Sequence, residues 1–277
     1  MGSPVAAEAS RAVVLSSVVR SDVAAGFFKG SPSMSSHQRP FHQIGRIFAG
    51  ADVFVVGMGS SLEGFDWSSL EGRFTIVLNN AVRYVPSPSI HLFADQQLWK
   101  RYEAHVYAEE TRIVCQKGAL DSLLKARPEL IRQLFEFKQN GRPELVETII
   151  GPASNQLYVA RTVATAGIQL AHRLGASRIF LLGVDGYRRA DGAYYADGEA
   201  KPVQRNKVVK RPESGVIVEA HHGQWDTEMG RIRKTFSAAD LYPGPFPGAG
   251  IYNLNPISTI SSWEKVDVGD VIRSSSV

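Results

Sequence analysis

Asp52-Val-Phe-Val-Val56, followed directly by Gly57-Met-Gly-Ser-Ser-Leu62, is a switch from strand to turn. Val53 to Val56 are consecutively apolar, which marks a strand buried on both faces and so points to a parallel sheet covered by helices. The glycine-rich turn directly after it sits where such sheets receive ligands, beyond the carboxyl end of a strand.

Outward from this point the pattern repeats. Apolar runs at Phe74 to Leu78, Ile90 to Ala94, Arg112 to Cys115 and Arg178 to Leu182 each end in polar residues or glycine. Helical periodicity separates several of them. Its clearest case is Asn155 to Leu174, where Val159, Val163, Ala166, Leu170 and Leu174 form one stripe and Gly175 is a stop. Strands alternating with helices predict an α/β fold, a Rossmann-like parallel sheet with helices on both faces and right-handed crossovers.

The flanks read differently. Residues 1–40 end in the Ser/Pro-rich GSPSMSSHQRP and are expected to form an N-terminal arm, partly flexible. Residues 41–262 are the expected catalytic domain, interrupted at 187–220 by a long irregular insertion that has the composition of a lid. Asp226 to Ala239 then predicts an amphipathic helix carrying Met229, Ile232 and Phe236. YPGPFPGAG is a loop, IYNLNP a last short strand, and 263–277 a polar tail.

Composition sets the bounds. The 277 residues, 44% hydrophobic and 21% charged, suit one sizeable core rather than two full domains. A single cysteine, Cys115, excludes an internal disulfide and suits a reducing, cytoplasmic setting. No run approaches the ~20 apolar residues of a transmembrane helix, and the N-terminus lacks the ordered regions of a signal peptide. A net charge of +4 permits an anionic ligand without demanding nucleic acid.

Several residues are placed to do chemistry. Gly57 and Gly59 let backbone approach an anion, and Ser60 and Ser61 add hydroxyl and amide donors, although a tight turn without a ligand needs the same residues. Asn79, Asn80, Asp95 and Asp185 stand at strand ends, where they read a ribose or base edge or cap the next helix. The small residues Thr165-Ala166-Gly167 allow close approach of either a neighbouring element or a ligand. His221-His222 is the histidine pair, with the types needed for a general base near neutral pH. Tyr187, Tyr194 and Tyr195 follow Asp185. Arg205, Lys207, Lys210 and Arg211 make the insertion basic, as a solvated run or as a contact for phosphates or an acidic acceptor. No Asp-x-Asp pair follows a strand and no His/Cys set has zinc spacing, so no metal site is expected.

In this order the fragments resemble a known family. Val55-Val-Gly-Met-Gly-Ser-Ser-Leu62 with Phe65-Asp66 and Leu70, then Val77-Leu-Asn-Asn80, is similar to the opening of the bacterial sialyltransferases that modify lipooligosaccharide. It is also similar to the MptE-like superfamily of Rossmann proteins. Thr165-Ala-Gly167, Ile179-Phe-Leu-Leu-Gly-Val-Asp-Gly-Tyr187, Tyr194, His222 and Ile251 to Pro256 continue the resemblance. Met58, Ser60 and Ala166 depart from it, standing where the family has Asn, Pro and Ser, so two polar contacts to the nucleotide are missing.

The resemblance implies a metal-independent glycosyltransferase of sialyltransferase type. A nucleotide sugar would be its co-substrate, with no other cofactor, and a glycan, protein or modified nucleic-acid base its acceptor. It implies that Gly57, Gly59, Ser61, Asn79 or Asn80, Thr165, Gly167 and Asp185 hold the nucleotide. Tyr187 and Tyr194 would support the leaving phosphate and His222 would be the base. A homo-oligomer is compatible with this reading. The rivals are a magnesium-dependent pyrophosphate transferase like the MptE pterin kinases and an inactive nucleotide-binding protein.

Overall fold

The computed structural model describes residues 39–141, 149–151, 154–191, 193, 195–196, 208–210, 215–242 and 250–274. Its strands are β1 (Asp52–Val56), β2 (Phe74–Leu78), β3 (Ile90–Phe93), β4 (Arg112–Gln116), β5 (Leu134–Asn140), β6 (Gln156–Tyr158), β7 (Arg178–Leu182), β8 (Arg188–Arg189), β9 (Val208–Lys210), β10 (Val216–Glu219), β11 (Gly250–Asn253) and β12 (Glu264–Lys265). The helices are α1 (Trp99–Tyr102), α2 (Lys117–Ala126), α3 (Ala164–Arg173), α4 (Ala220–Ala238) and α5 (Val268–Ser274).

Nine of the described strands form one sheet in the order β12-β11-β7-β1-β2-β3-β4-β5-β6, with every pairing parallel. The expected α/β architecture is therefore present. From β1 the chain steps one way to β6, then crosses back to lay β7 on the other side of β1. The order reverses at the β1–β7 seam.

Side-chain alternation along β1 supplies both cores. Val53 and Val55 pack with Ile76, Ile179 and residues of α3 and α4, while Phe54 and Val56 pack with Val77, Phe180 and residues of α2. Phe54, Phe180 and Tyr252 stack across three strands at centroid separations of 5.2 and 5.5 Å. Burying a side chain of this size contributes ~1.5–3 kcal/mol. Among the described residues no helix is long and apolar enough to cross a membrane.

Several boundaries differ from the sequence expectation. The helix predicted from Asn155 begins only at Ala164, because Gln156–Tyr158 is drawn into the sheet beside Lys138 to Asn140. Its end is as expected, with Gly175 at φ 99° and its N–H on His172 O. The helix predicted from Asp226 starts six residues earlier, at Ala220, and takes in both histidines. The strand β5 and the terminal pair β12 and α5 were not anticipated. In what was read as a polar tail, Glu264–Lys265 joins the sheet edge and Val271 is buried. Inside the insertion, β8, β10 and β9 form a small antiparallel sheet. Of the N-terminal arm only Arg39 and Pro40 are described, and they pair with Glu136 of β5.

Thr165-Ala166-Gly167 answers to a neighbouring element. A Cβ on Gly167 would lie 2.7 Å from Val55 Cγ1, so the missing side chain is what lets α3 settle on β1. Gly167→Val is expected to lower the free energy of unfolding by ~2–3 kcal/mol through overpacking. An unchanged denaturation midpoint would show that α3 can move off the sheet.

Candidate functional site

The seam between β1 and β7 is closed by backbone. Gly57 N–H donates to Leu182 O at 2.7 Å and Gly59 N–H to Gly183 O at 2.9 Å, so the two strand-end turns lie against each other. A Cβ on Gly57 would meet Gly183 O at 2.5 Å, and one on Gly59 would fall into the Asp185 carboxylate. Gly183 itself has φ 66°, a conformation that costs an ordinary residue ~1–2 kcal/mol. These glycines are required by the meeting of the two turns, whatever binds above them.

Asp185 ties the seam. Its Oδ2 accepts from Ser61 N–H at 2.8 Å, and its Oδ1 from Ser61 Oγ at 2.6 Å and Asn255 Nδ2 at 2.9 Å. Burial pushes its pKa up, opposed by the bonds from Ser61 and Asn255. Asn255 Nδ2 also donates to the Tyr187 hydroxyl at 3.1 Å, leaving the phenolic proton to donate elsewhere. Burial raises the Tyr187 pKa to about 12, so the group stays a donor at any ordinary pH.

Above the seam lies a cleft of about 400 Å³ bordered by Gly57 to Gly59, Asn79, Asn80, Asp95, Asp185 and Tyr187. Eight of the residues singled out from sequence thus reach one cavity: Gly57, Gly59, Asn79, Asn80, Asp95, Asp185, Tyr187 and Tyr195. Others do not. Thr165 is fully buried with Oγ1 on Thr162 O and Tyr158 O, and Gly167 faces β1, so both sit behind the cleft wall rather than in it. Ser61 spends its donors on Asp185, and Ser60 is buried beside it. Tyr194, Arg205, Lys207 and Arg211 lie outside the described residues, and of Lys210 only its backbone place opposite Val218 is described.

The histidine pair opens α4, where its two rings take different parts. His222 is 1% exposed, and its Nδ1 accepts the N–H of Glu219 at 3.1 Å while the Glu219 side chain accepts from the His222 backbone. That reciprocal cap requires a lone pair on Nδ1, so the ring proton of the neutral form sits on Nε2. Burial, then His221 and Arg188, lower the His222 pKa to about 3. In this state both ring nitrogens are committed, Nδ1 to the cap and Nε2 to the proton, and the ring does not border the cleft, so the geometry lends the base expected at His222 no support. His221 is the more exposed ring, with Nδ1 3.8 Å from Glu219 Oε2 and its face 5.6 Å from Trp225, which does border the cleft.

Glu219 is paired with Arg188 at 2.8 Å, both nearly inaccessible, which pins the start of α4 to the small sheet. Glu219, His221 and His222 each bring a ligand atom within 4.8 Å of the others, a donor set that zinc accepts. Binding a metal there would break the cap and compete with Arg188, and breaking a buried ion pair costs ~3–5 kcal/mol.

The sequence reading missed several cleft residues. Arg101, Arg161, Thr162 and Trp225 carry no motif, and at Tyr195 the resemblance points instead to its neighbour Tyr194. Tyr195 bridges Gly59, and Ala196 N–H donates to Met58 O at 3.0 Å, so the start of the insertion folds back over the first turn. The clue for Asn255 was its place just past a strand, the same clue that found Asn79.

No family model and no curated protein matches the sequence. Among solved structures the chain is similar to the MAf glycosyltransferase from Magnetospirillum magneticum AMB-1, at 14% identity and a TM-score of 0.49, over 84% of this chain and 38% of that one. It thus spans well under half of that protein's length. It is also similar to the sialyltransferase CstII from Campylobacter jejuni in complex with the substrate analogue CMP-3FNeuAc, at 14% identity and a TM-score of 0.40, over 78% of this chain and 85% of that one. A structure of the sialyltransferase CST-II with trisaccharide acceptor and CMP gives 14% identity and a TM-score of 0.42, with the same coverage of 78% and 85%.

Burial holds three histidines neutral in the fold: His91 and His222 with pKa values lowered to about 3, and His172 to about 4. A lowered folded pKa means the unfolded chain binds more protons, so stability is full above ~6.5, the ordinary histidine pKa, and is lost as pH falls below it. The expected slope is up to ~1.4 kcal/mol per pH unit for each ring. Urea unfolding at pH 7, 6 and 5 checks this, and a flat profile would contradict the buried, neutral assignment.

Proposed function

We propose that the cleft binds a nucleotide-activated sugar and that the chain is a glycosyltransferase moving this sugar to an acceptor hydroxyl. The observation that carries the reading is the lining of the cleft, where Arg101 and Arg161 join the carboxamides of Asn79 and Asn80 at the point where strand order reverses. Such a set suits an anionic leaving group attached to a polar nucleoside. The volume, about 400 Å³, falls within the ~300–1,000 Å³ of small-molecule sites.

Metal independence belongs to the same proposal. The cleft carboxylates are Asp95 and Asp185: buried Asp185 is taken up by Ser61 and Asn255, whereas exposed Asp95 accepts from Gln97 N–H at 2.8 Å through Oδ1. With Asp185 consumed, Asp95 is the one carboxylate left among the described cleft residues, so no pair is free to hold magnesium. Charge developing on the departing phosphate would instead be met by Arg101, Arg161 and the Tyr187 hydroxyl, with Tyr195 beside them.

The acceptor oxygen attacks the anomeric carbon, the bond to the phosphate oxygen breaks, and the acceptor proton leaves to a base. A single displacement of this kind inverts the anomeric centre. For the base we propose His221, the more exposed ring of the pair, which like His222 does not itself border the cleft but packs on Trp225, which does; the Glu219 carboxylate 3.8 Å from its Nδ1 would stabilise the imidazolium. The fold-back of Tyr195 and Ala196 over Met58 supports a role for the insertion in excluding water from an activated sugar. The acceptor would be a glycan, protein or modified base, and the lone thiol suits a cytoplasmic enzyme.

A thermal-shift panel of nucleotides and nucleotide sugars, run in EDTA and in magnesium, tests the reading. Stabilisation by a sugar nucleotide in EDTA is expected, worth ~2.7 kcal/mol at one hundred times Kd. Stabilisation only by ATP with magnesium would favour pyrophosphate transfer instead. With a donor in hand, His221→Ala is expected to lower kcat by ~10²–10⁴ with donor affinity kept. His222→Ala should lower the melting temperature, and a His221→Ala variant of full activity would remove the base assignment.

A further inference from the structure

Asn79 follows β2 directly and has φ 50°. Of the four non-glycine residues with positive φ among the described residues, it alone borders the cleft. The left-handed conformation costs a side-chain-bearing residue ~1–2 kcal/mol, although asparagine tolerates it better than most. Something must hold it. Its own side chain does not, since Asn79 Oδ1 is buried without a hydrogen-bond partner in the protein.

The tether is on the backbone. The bend after Leu78 turns the Asn79 carbonyl toward β3, where His91 stands in register with Val77, and His91 Nε2 lies 3.0 Å from Asn79 O. His91 Nδ1 lies 2.9 Å from the Tyr107 hydroxyl. A carbonyl can only accept, so Nε2 carries the ring proton, Nδ1 is the acceptor, and Tyr107 donates to it. The direction of both bonds is thereby settled.

The surroundings keep the ring in this state. His91 is fully buried, with Tyr102 edge-on at 4.5 Å and Tyr107 stacked at 5.8 Å. The Tyr102 hydroxyl in turn donates to Asn80 Oδ1 at 3.4 Å. Both strand-end asparagines are thus propped from behind the cleft by one aromatic cluster that does not itself border it.

We infer that His91, with Tyr107 behind it, is a positioning residue for the nucleotide cleft. By gripping the Asn79 carbonyl it keeps that residue in the left-handed turn from which its carboxamide meets the ligand. This rests on the reading of the cleft as a nucleotide site. The role is exerted through Asn79, so it vanishes when Asn79 is replaced by glycine, which adopts positive φ unaided and has no carboxamide.

The probes are CMP and UDP, titrated calorimetrically in EDTA. His91→Leu removes the grip, Tyr107→Phe removes only the hydroxyl, and His91→Gln restores an N–H near the place of Nε2. In the parent chain His91→Leu is expected to weaken binding ~10-fold and Tyr107→Phe ~3-fold, with His91→Gln within ~2-fold of wild type. In an Asn79→Gly background His91→Leu should leave the dissociation constant unchanged while lowering the melting temperature as before. Equal losses of affinity in both backgrounds, or no loss where the wild type binds, would overturn the inference. If the wild type binds neither nucleotide, the nucleotide reading fails and takes this one with it. Separately from any ligand, ¹⁵N spectra of the His91 ring should report the proton on Nε2, and a proton on Nδ1 would refute the tether itself.

Discussion

The contact of two strand-end turns governs this molecule. Where β1 and β7 stop side by side, Gly57 and Gly59 lie so close to Gly183 and Asp185 that no side chain fits between them. The Asp185 carboxylate fills the space this leaves and takes three donors from Ser61 and Asn255. Because Asn255 comes from the segment after β11, one buried carboxylate joins three separate parts of the chain. Burial makes that carboxylate expensive to ionise, and the three donors offset the cost. A glycine turn that reads as a ligand cradle is, in the first place, a joint between strands.

The joint sets the place and character of the cleft. Strand order reverses there, so the loops from β1, β2 and β7 diverge and leave a hollow that neither core fills. Its lining combines two guanidinium groups with carboxamides and phenols, while of its carboxylates Asp185 is turned inward as a structural acceptor and Asp95 caps the turn after β3. A polar cavity of that balance favours a ligand that is anionic at one end and hydrogen-bonding at the other. The Tyr107–His91–Asn79 chain adds that the polar lining is held from the sheet side, by groups with no exposure to the ligand.

The histidine pair illustrates how one helix start divides two identical side chains. Glu219 caps α4, receives Arg188, and accepts from the His222 backbone, while the His222 ring returns the cap. One residue earlier on the helix, His221 is partly exposed, and both rings pack on Trp225. The partition follows from the helical turn, which carries N-terminal neighbours about 100° apart. Identity of side chain says nothing about which of the two is buried.

Much was legible from the residues alone, for reasons of period. The doubly apolar run Val53 to Val56, the glycine turn after it, the alternation with helices and the stop at Gly175 are local features, and they determined a parallel α/β sheet with its ligand side at the strand ends. Tertiary structure decided the rest. Gln156–Tyr158 reads as helix by its neighbours, yet the open edge of β5 offers it a ladder. Thr165 and Gly167 read as ligand contacts, yet Gly167 is consumed by packing on β1 and Thr165 by hydrogen bonds to Tyr158 O and Thr162 O. Arg161, Trp225 and Asn255 come from distant segments, and what they touch depends on which turns are brought together. Local chemistry determines what a segment can become, whereas the partner that satisfies its buried polar groups is chosen only when the chain closes on itself.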